Sequence, residues 1–175
     1  MQKQLIFLIL VLSFFNVAEA QEGETTVSAG PLLSFPLDER NFSTQLNTGV
    51  GVEIIGQYNF SDRSSFILQT NWASYGTKPK EGMDTGTHSR KTIFSLRAGY
   101  RYQFGASGFF TNIQGGIEKY SDSDFNSSSI ALGVGKRFLV KDSYYIDAGV
   151  DCVSRTTDVV FNLKVLFSFF RIRNE

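Results

Sequence analysis

Cysteine, histidine and proline are scarce among these 175 residues, with one Cys, one His and three Pro. A lone Cys152 excludes any intrachain disulfide, and one Cys with one His leaves no cluster of the kind that holds zinc. Surplus charge is missing too. Lys and Arg number 17 against 17 Asp and Glu, so no field of one sign draws the chain to nucleic acid or to an acidic surface. Beyond residue 20 there is no long hydrophobic run, because polar residues interrupt the apolar ones at almost every second position; a membrane-spanning helix is excluded there. What is plentiful is Phe (17), Tyr (7) and Gly (16), a mixture that favours strands and turns over helices.

Residues 1–20 read as a secretory signal peptide. One early cation, Lys3, precedes an apolar run from Leu5 to Phe15 and a small-x-small ending at Ala18-Glu19-Ala20, with cleavage expected before Gln21. The run is short for an anchor helix, and no Cys sits at the cut to carry a lipid. Residues 21–175 are then one domain, held together by architecture alone.

Eight stretches alternate apolar and polar residues with the period of a strand. They cover residues 25–35, 46–60, 65–75, 93–104, 109–120, 129–140, 144–153 and 158–170. Pro31 predicts an irregularity in the upper half of the first. The links between stretches alternate in length: the second, fourth and sixth are tight, and Gly105-Ala106-Ser107-Gly108 reads as a hairpin turn. Residues 76–91 and 121–128 are polar and lack periodicity, so they read as loops.

One parity of each stretch is apolar and bulky, and the other is polar and Gly-rich. The polar parity carries Glu53, Glu118, Asp147 and Asp151 against Arg97, Arg101, Arg137 and Lys164, four of each sign, with Lys164 expected to meet Asp151 or Asp147 on the neighbouring strand. An even count is what an enclosed face requires, because buried charges are tolerable only when paired. Gly49, Gly51, Gly99, Gly116, Gly133, Gly135 and Gly149 share that parity, and their small size suits a narrow lumen. Rings on the apolar parity gather at the strand ends. Phe60, Phe66, Tyr102, Phe104, Phe109, Phe138, Tyr144, Phe167 and Phe169 lie by the tight turns or the C-terminus, and Trp72 and Phe94 lie toward the loops. Aromatic belts of this kind mark membrane–water boundaries.

The fold expected is therefore all-β: an eight-stranded antiparallel up-and-down transmembrane β-barrel, polar inside and apolar outside, preceded by a cleaved signal peptide. Closure is required because lipid leaves no partner for an open sheet edge. A soluble secreted barrel with the apolar face inward and an apolar ligand in its core is the opposite arrangement. A narrow, porin-like channel keeps the membrane fold and changes only the use of the lumen.

The signal segment, the eight amphipathic strands with Gly-rich inner faces and the last strand ending Leu-Phe-Ser-Phe-Phe resemble the small outer-membrane β-barrel proteins of Gram-negative bacteria, the OmpA-like transmembrane-domain group. Arg171 to Glu175 depart from that pattern by following the final aromatic residue. The resemblance implies residence in the bacterial outer membrane, contact with outer-membrane lipid, and handling by the outer-membrane assembly machinery. It also implies a surface ligand, if there is one, met through the loops at residues 36–45, 76–91 and 121–128.

Catalytic chemistry finds little support. The only histidine, His88, has Ser89 and Asp84 nearby, but all three stand in a polar loop with Gly82 and Gly86, which cannot hold a triad rigidly. Asp122 and Asp124 resemble the start of a calcium loop without its Gly and distal Glu. Asn41, Asn59 and Asn126 match the Asn-x-Ser pattern, yet Asn59 falls within a strand. Cys152 falls on the apolar parity as a small apolar residue. No cofactor, metal or nucleic acid is expected, and the protein reads as non-enzymatic, acting as a structural or surface-interaction protein.

Overall fold

The computed structural model describes residues 23–37, 46–77, 90–121, 126–141, 144–156 and 158–172. The signal segment, His88 with its neighbours, Asp122, Asp124 and Asn41 lie outside the described residues. Eight strands follow one another: β1 Thr25–Pro36, β2 Leu46–Asn59, β3 Ser64–Thr77, β4 Arg90–Gln103, β5 Phe109–Tyr120, β6 Asn126–Lys141, β7 Tyr144–Arg155 and β8 Val159–Ile172. Each pairs antiparallel with the next, and β8 returns to β1, so the sheet is a closed up-and-down barrel.

Exposure decides which face is outside. Leu132 is 59% exposed while its neighbour Ala131 is 0% exposed; Arg97 and Lys164 are 1% and 2% exposed. Val50, Val52, Ile54, Leu68, Ile113, Ile117 and Ile130 are likewise exposed around the wall. A continuous apolar belt around a polar interior is stable in lipid and not in water, which removes the soluble reading.

Two glycines show how so small a barrel curls. A Cβ on Gly99 of β4 would stand 2.7 Å from Cα of Gln114 on β5, and one on Gly116 of β5 would stand 2.7 Å from Cα of Arg97 on β4. Without side chains there, the two strands coil tightly enough to close the sheet.

Two local expectations need correction. The register stays continuous across Pro31, from Ala29 opposite Phe167 to Leu32 opposite Lys164; the irregularity falls instead between Val27 and Ser28. Pro31 keeps Val52 of β2 opposite it and turns its ring to the outer wall, so it costs the sheet no more than its own missing N–H. The shift sets Val27 opposite Phe170 and Ser28 opposite Ser168, so the parity of β8 changes and Arg171 turns into the lumen. The link at residues 105–108 closes the β4–β5 hairpin as expected, through a short 3₁₀ turn over residues 105–107 with Gly105 and Gly108 at φ of 49° and 70°. Strands β3, β4 and β6 also run further than their apolar residues do: Tyr75 pairs with Lys91, Gly76 with Arg90, and Lys119 with Asn126. Backbone pairing continues where side chains have become polar, and apolar alternation cannot mark those ends.

Candidate functional site

The inward residues of all eight strands meet in the lumen. On β7, Asp147 and Asp151 are four residues apart on one face, about 13 Å along the strand. Each carboxylate anchors a different cluster.

Asp147 is shared by two arginines. Arg137 donates from Nε to Oδ1 and from Nη2 to Oδ2, both at 2.8 Å, and Arg101 donates from Nη1 to Oδ2 at 2.8 Å. Gln57 completes the group, its Oε1 accepting from Arg101 Nη1 and Arg137 Nη2 at 2.9 Å each. The Arg101 guanidinium lies 4.1 Å from the centre of the Phe110 ring, and that of Arg137 lies 4.7 Å from the Tyr145 ring, where π faces supplement the ion pairs.

Asp151 belongs to a group of the opposite composition. Lys164 Nζ lies 2.8 Å from Glu53 Oε1 and also bonds Asp151 Oδ2, so one cation serves two carboxylates. Gln69 donates from Nε2 to Glu53 Oε2 at 2.8 Å. Asp147 takes no part in it.

Between the two clusters stands an apolar septum of Ile55, Ile67 and Leu166. The strand period explains it. Ile55 lies between Glu53 and Gln57 on β2, Ile67 between Gln69 and Ser65 on β3, and Leu166 between Lys164 and Ser168 on β8, each two residues from a polar inward neighbour.

Nearer the loops, Glu118 holds Arg97 Nη1 at 3.2 Å and also Arg155 Nε, and Arg155 Nη1 reaches Asp158 at 3.3 Å. A relay of hydrogen bonds leads away from it: Arg155 Nη2 donates to Tyr75 OH, Tyr75 OH to Ser34 Oγ at 2.7 Å, and Ser34 Oγ to Asn162 Oδ1 at 2.6 Å. Leu32, Ala73, Tyr75, Ile93 and Tyr120 pack beside this group as a second apolar cluster. At the opposite end, Glu24 accepts from Arg171 Nη2 at 2.7 Å and from Tyr145 OH at 3.1 Å.

All eight charged residues expected inside are buried there, and the structure divides them among three clusters. It adds four that the sequence reading did not place: Glu24, Arg155, Asp158 and Arg171. The interior then holds six acids (Glu24, Glu53, Glu118, Asp147, Asp151, Asp158) and six bases (Arg97, Arg101, Arg137, Arg155, Lys164, Arg171) among the described residues. Arg155 and Asp158 were within reach of parity, which they share with Asp151 and Lys164. Arg171 was not, because the bulge reverses its face. Arg97 and Arg101 each keep Nε and Nη2 without a hydrogen-bond partner among the described residues, and on the anionic side Asp151 Oδ1 is likewise left over.

The expected boundary rings stand on the outside. Phe60, Phe66, Phe104, Phe109, Tyr144, Phe167 and Phe169 are exposed at the tight-turn end, with Tyr102 and Phe138 half-buried among them. Tyr102 meets Phe104 edge-on at 5.2 Å between centroids. Trp72 and Phe94 are exposed and paired across β3 and β4 toward the loops. Cys152 is exposed on the apolar wall. Asn59 is buried, its Oδ1 accepting from Gln57 Nε2 at 2.6 Å and Ser65 Oγ at 2.7 Å, and so is closed to modification. Among the described residues no three His, Cys, Asp or Glu side chains are grouped to hold a metal.

Residues 7–165 match the family described as outer membrane protein beta-barrel domain. No curated protein matches the sequence. Among solved structures, OprG from Pseudomonas aeruginosa superposes with a TM-score of 0.62 at 12% identity, over 86% of this chain and 98% of that one. Ail, the attachment invasion locus protein of Yersinia pestis, solved with the heparin analogue sucrose octasulfate, gives 0.58 at 18% identity, over 87% of this chain and 100% of that one. Neisserial surface protein A gives 0.57 at 17% identity, with the same coverage of 87% and 100%.

Proposed function

We propose, from the premise that this chain belongs to the outer membrane protein beta-barrel domain family, that its barrel is a closed, non-enzymatic wall element that presents loops at the cell surface. The protein is a bacterial outer-membrane β-barrel, and in such barrels the short turns face the periplasm and the longer loops face outward. The observation that supports the closed reading is the filled lumen: six acids against six bases, grouped in pairs and triads and interrupted by the Ile55–Ile67–Leu166 septum. A solute crossing here would have to separate buried ion pairs, each costing several kcal/mol to expose unpaired (about 3–5).

What remains for contact with other molecules is the loop end. Residues 76–91 carry Lys78, Lys80, Arg90 and Lys91 against Glu81 and Asp84, a cationic balance suited to sulfated or phosphorylated polysaccharide. Ail's complex with a heparin analogue makes immobilised heparin the first probe to use.

Liposome swelling tests the closed lumen. Vesicles carrying the protein should swell in small sugars or amino acids no faster than empty vesicles, and faster swelling sinks the reading. Retention on heparin that is lost when Lys78 and Lys80 become Ser supports the surface-contact half; no retention at low salt removes this ligand class.

A further inference from the structure

One lipid-facing feature has no part in the closed lumen. On the outer wall, beside the periplasmic turns, a groove of about 490 Å³ runs across β5 to β8, lined by Phe109, Val134, Ala148, Val150 and Leu163, with Lys136 at its edge. Its cause is local. Lys136 on β6 stands beside Ala148 on β7, with Val134 and Val150 as the next outward pair, so the small Ala148 leaves a depression among larger neighbours. From the ring level at Phe109 the groove extends along the wall to Leu163, toward the middle of the membrane.

Lys136 is unusual in place. It shares the outward parity of Ile130, Leu132 and Val134, all exposed to lipid, yet it is a cation. Its Nζ lies 4.9 Å from the centre of the Phe109 ring and 5.4 Å from that of Phe138, contacts that hold the ammonium at the height of the periplasmic aromatic belt. That is the height of headgroups, and long cationic side chains near strand ends reach for it. An ammonium has three donors and can serve more than one acceptor at once, so a phosphate oxygen can join the contacts it already makes.

We infer that this groove is a phospholipid site of the periplasmic leaflet, in which Lys136 binds the phosphodiester and the depression over Ala148 takes one acyl chain. The chemistry selects a single occupant: an anionic headgroup joined to an apolar tail matches a cation at the girdle end of an apolar slot. A free phosphate satisfies only the cation, and a neutral lipid only the slot.

Native mass spectrometry of the detergent-folded protein tests this with phosphatidylglycerol, diacylglycerol of the same chains, and inorganic phosphate. Phosphatidylglycerol should be retained and diacylglycerol should not. Lys136→Gln should weaken retention about fivefold, equivalent to ~1 kcal/mol for one cation at a membrane surface. Ala148→Phe, which fills the slot, should weaken it by a comparable factor. Both positions face lipid, and an unchanged heat-dependent gel shift will show that the variants still fold. Equal retention by the wild type and both variants overturns the site. Loss with Lys136→Gln alone overturns the slot, and displacement by inorganic phosphate at the lipid's own concentration overturns the lipid as the occupant.

Discussion

The clusters around Asp147 and Lys164 are near mirror images. In one, a single anion holds two guanidiniums and an amide oxygen of Gln57 takes up two of their N–H groups. In the other, a single cation holds two carboxylates and an amide N–H of Gln69 supports one of them. Each is off balance by one unit charge, in opposite senses, and neutrality is reached only over the two together. The group around Glu118 and the Glu24–Arg171 pair are each balanced, whereas the Asp147 and Lys164 clusters balance only jointly.

The mirror breaks under mutation, because Glu53 keeps an amide donor when its cation is removed, whereas Arg101 and Arg137 are left sharing one neutral acceptor when their anion is removed. Asp147→Asn should be the costliest change, leaving Arg101 and Arg137 buried beside each other without a counter-ion; a loss of about 3–5 kcal/mol is expected, read as the unfolding midpoint in urea with the protein in micelles. Lys164→Met leaves Glu53 and Asp151 buried without their shared cation and should cost about 3 kcal/mol, the lower end of that range, because Gln69 still donates to Glu53. Equal midpoints for the two variants would show that this amide donor does not distinguish the clusters.

The amides sharpen the same contrast. Gln57→Leu removes an acceptor from two buried guanidiniums and should cost about 1–3 kcal/mol, whereas Gln69→Leu removes one donor from Glu53 and should cost about 1 kcal/mol. Thermal gel-shift curves of the two variants will rank them. Arg171→Ala should cost about 1 kcal/mol, because Glu24 is buried but keeps Tyr145 OH as a donor, at a rim where the arginine side chain is 13% exposed.

Much of this was legible in the sequence, for one physical reason. A strand turns alternate residues to opposite faces, so parity alone separated Glu53, Arg97, Arg101, Glu118, Arg137, Asp147, Asp151 and Lys164 from the apolar wall, and eight such stretches with alternating links indicated an up-and-down barrel. Partnership was legible only in part: Lys164 is expected to meet Asp151 or Asp147 on the neighbouring strand, and it bonds Asp151. Glu53 meets Lys164, and Arg101 meets Asp147, across a closed and tightly coiled sheet whose register no local pattern encodes. The pairing of Glu24 with Arg171 depends on a one-residue bulge near Val27, and the ends of β3, β4 and β6 depend on backbone pairing among polar residues. Proline at position 31 drew attention to the wrong place, because an outward proline in the lipid-facing wall leaves the register intact.

Planar-bilayer recording tests the central claim, a lumen closed by its own charges, most directly. The wild-type protein should show no stable open level, and Arg101→Ala or Glu53→Ala should introduce brief openings by unpairing one cluster. A stable open level in the wild type that rises further in Arg101→Ala would contradict the account.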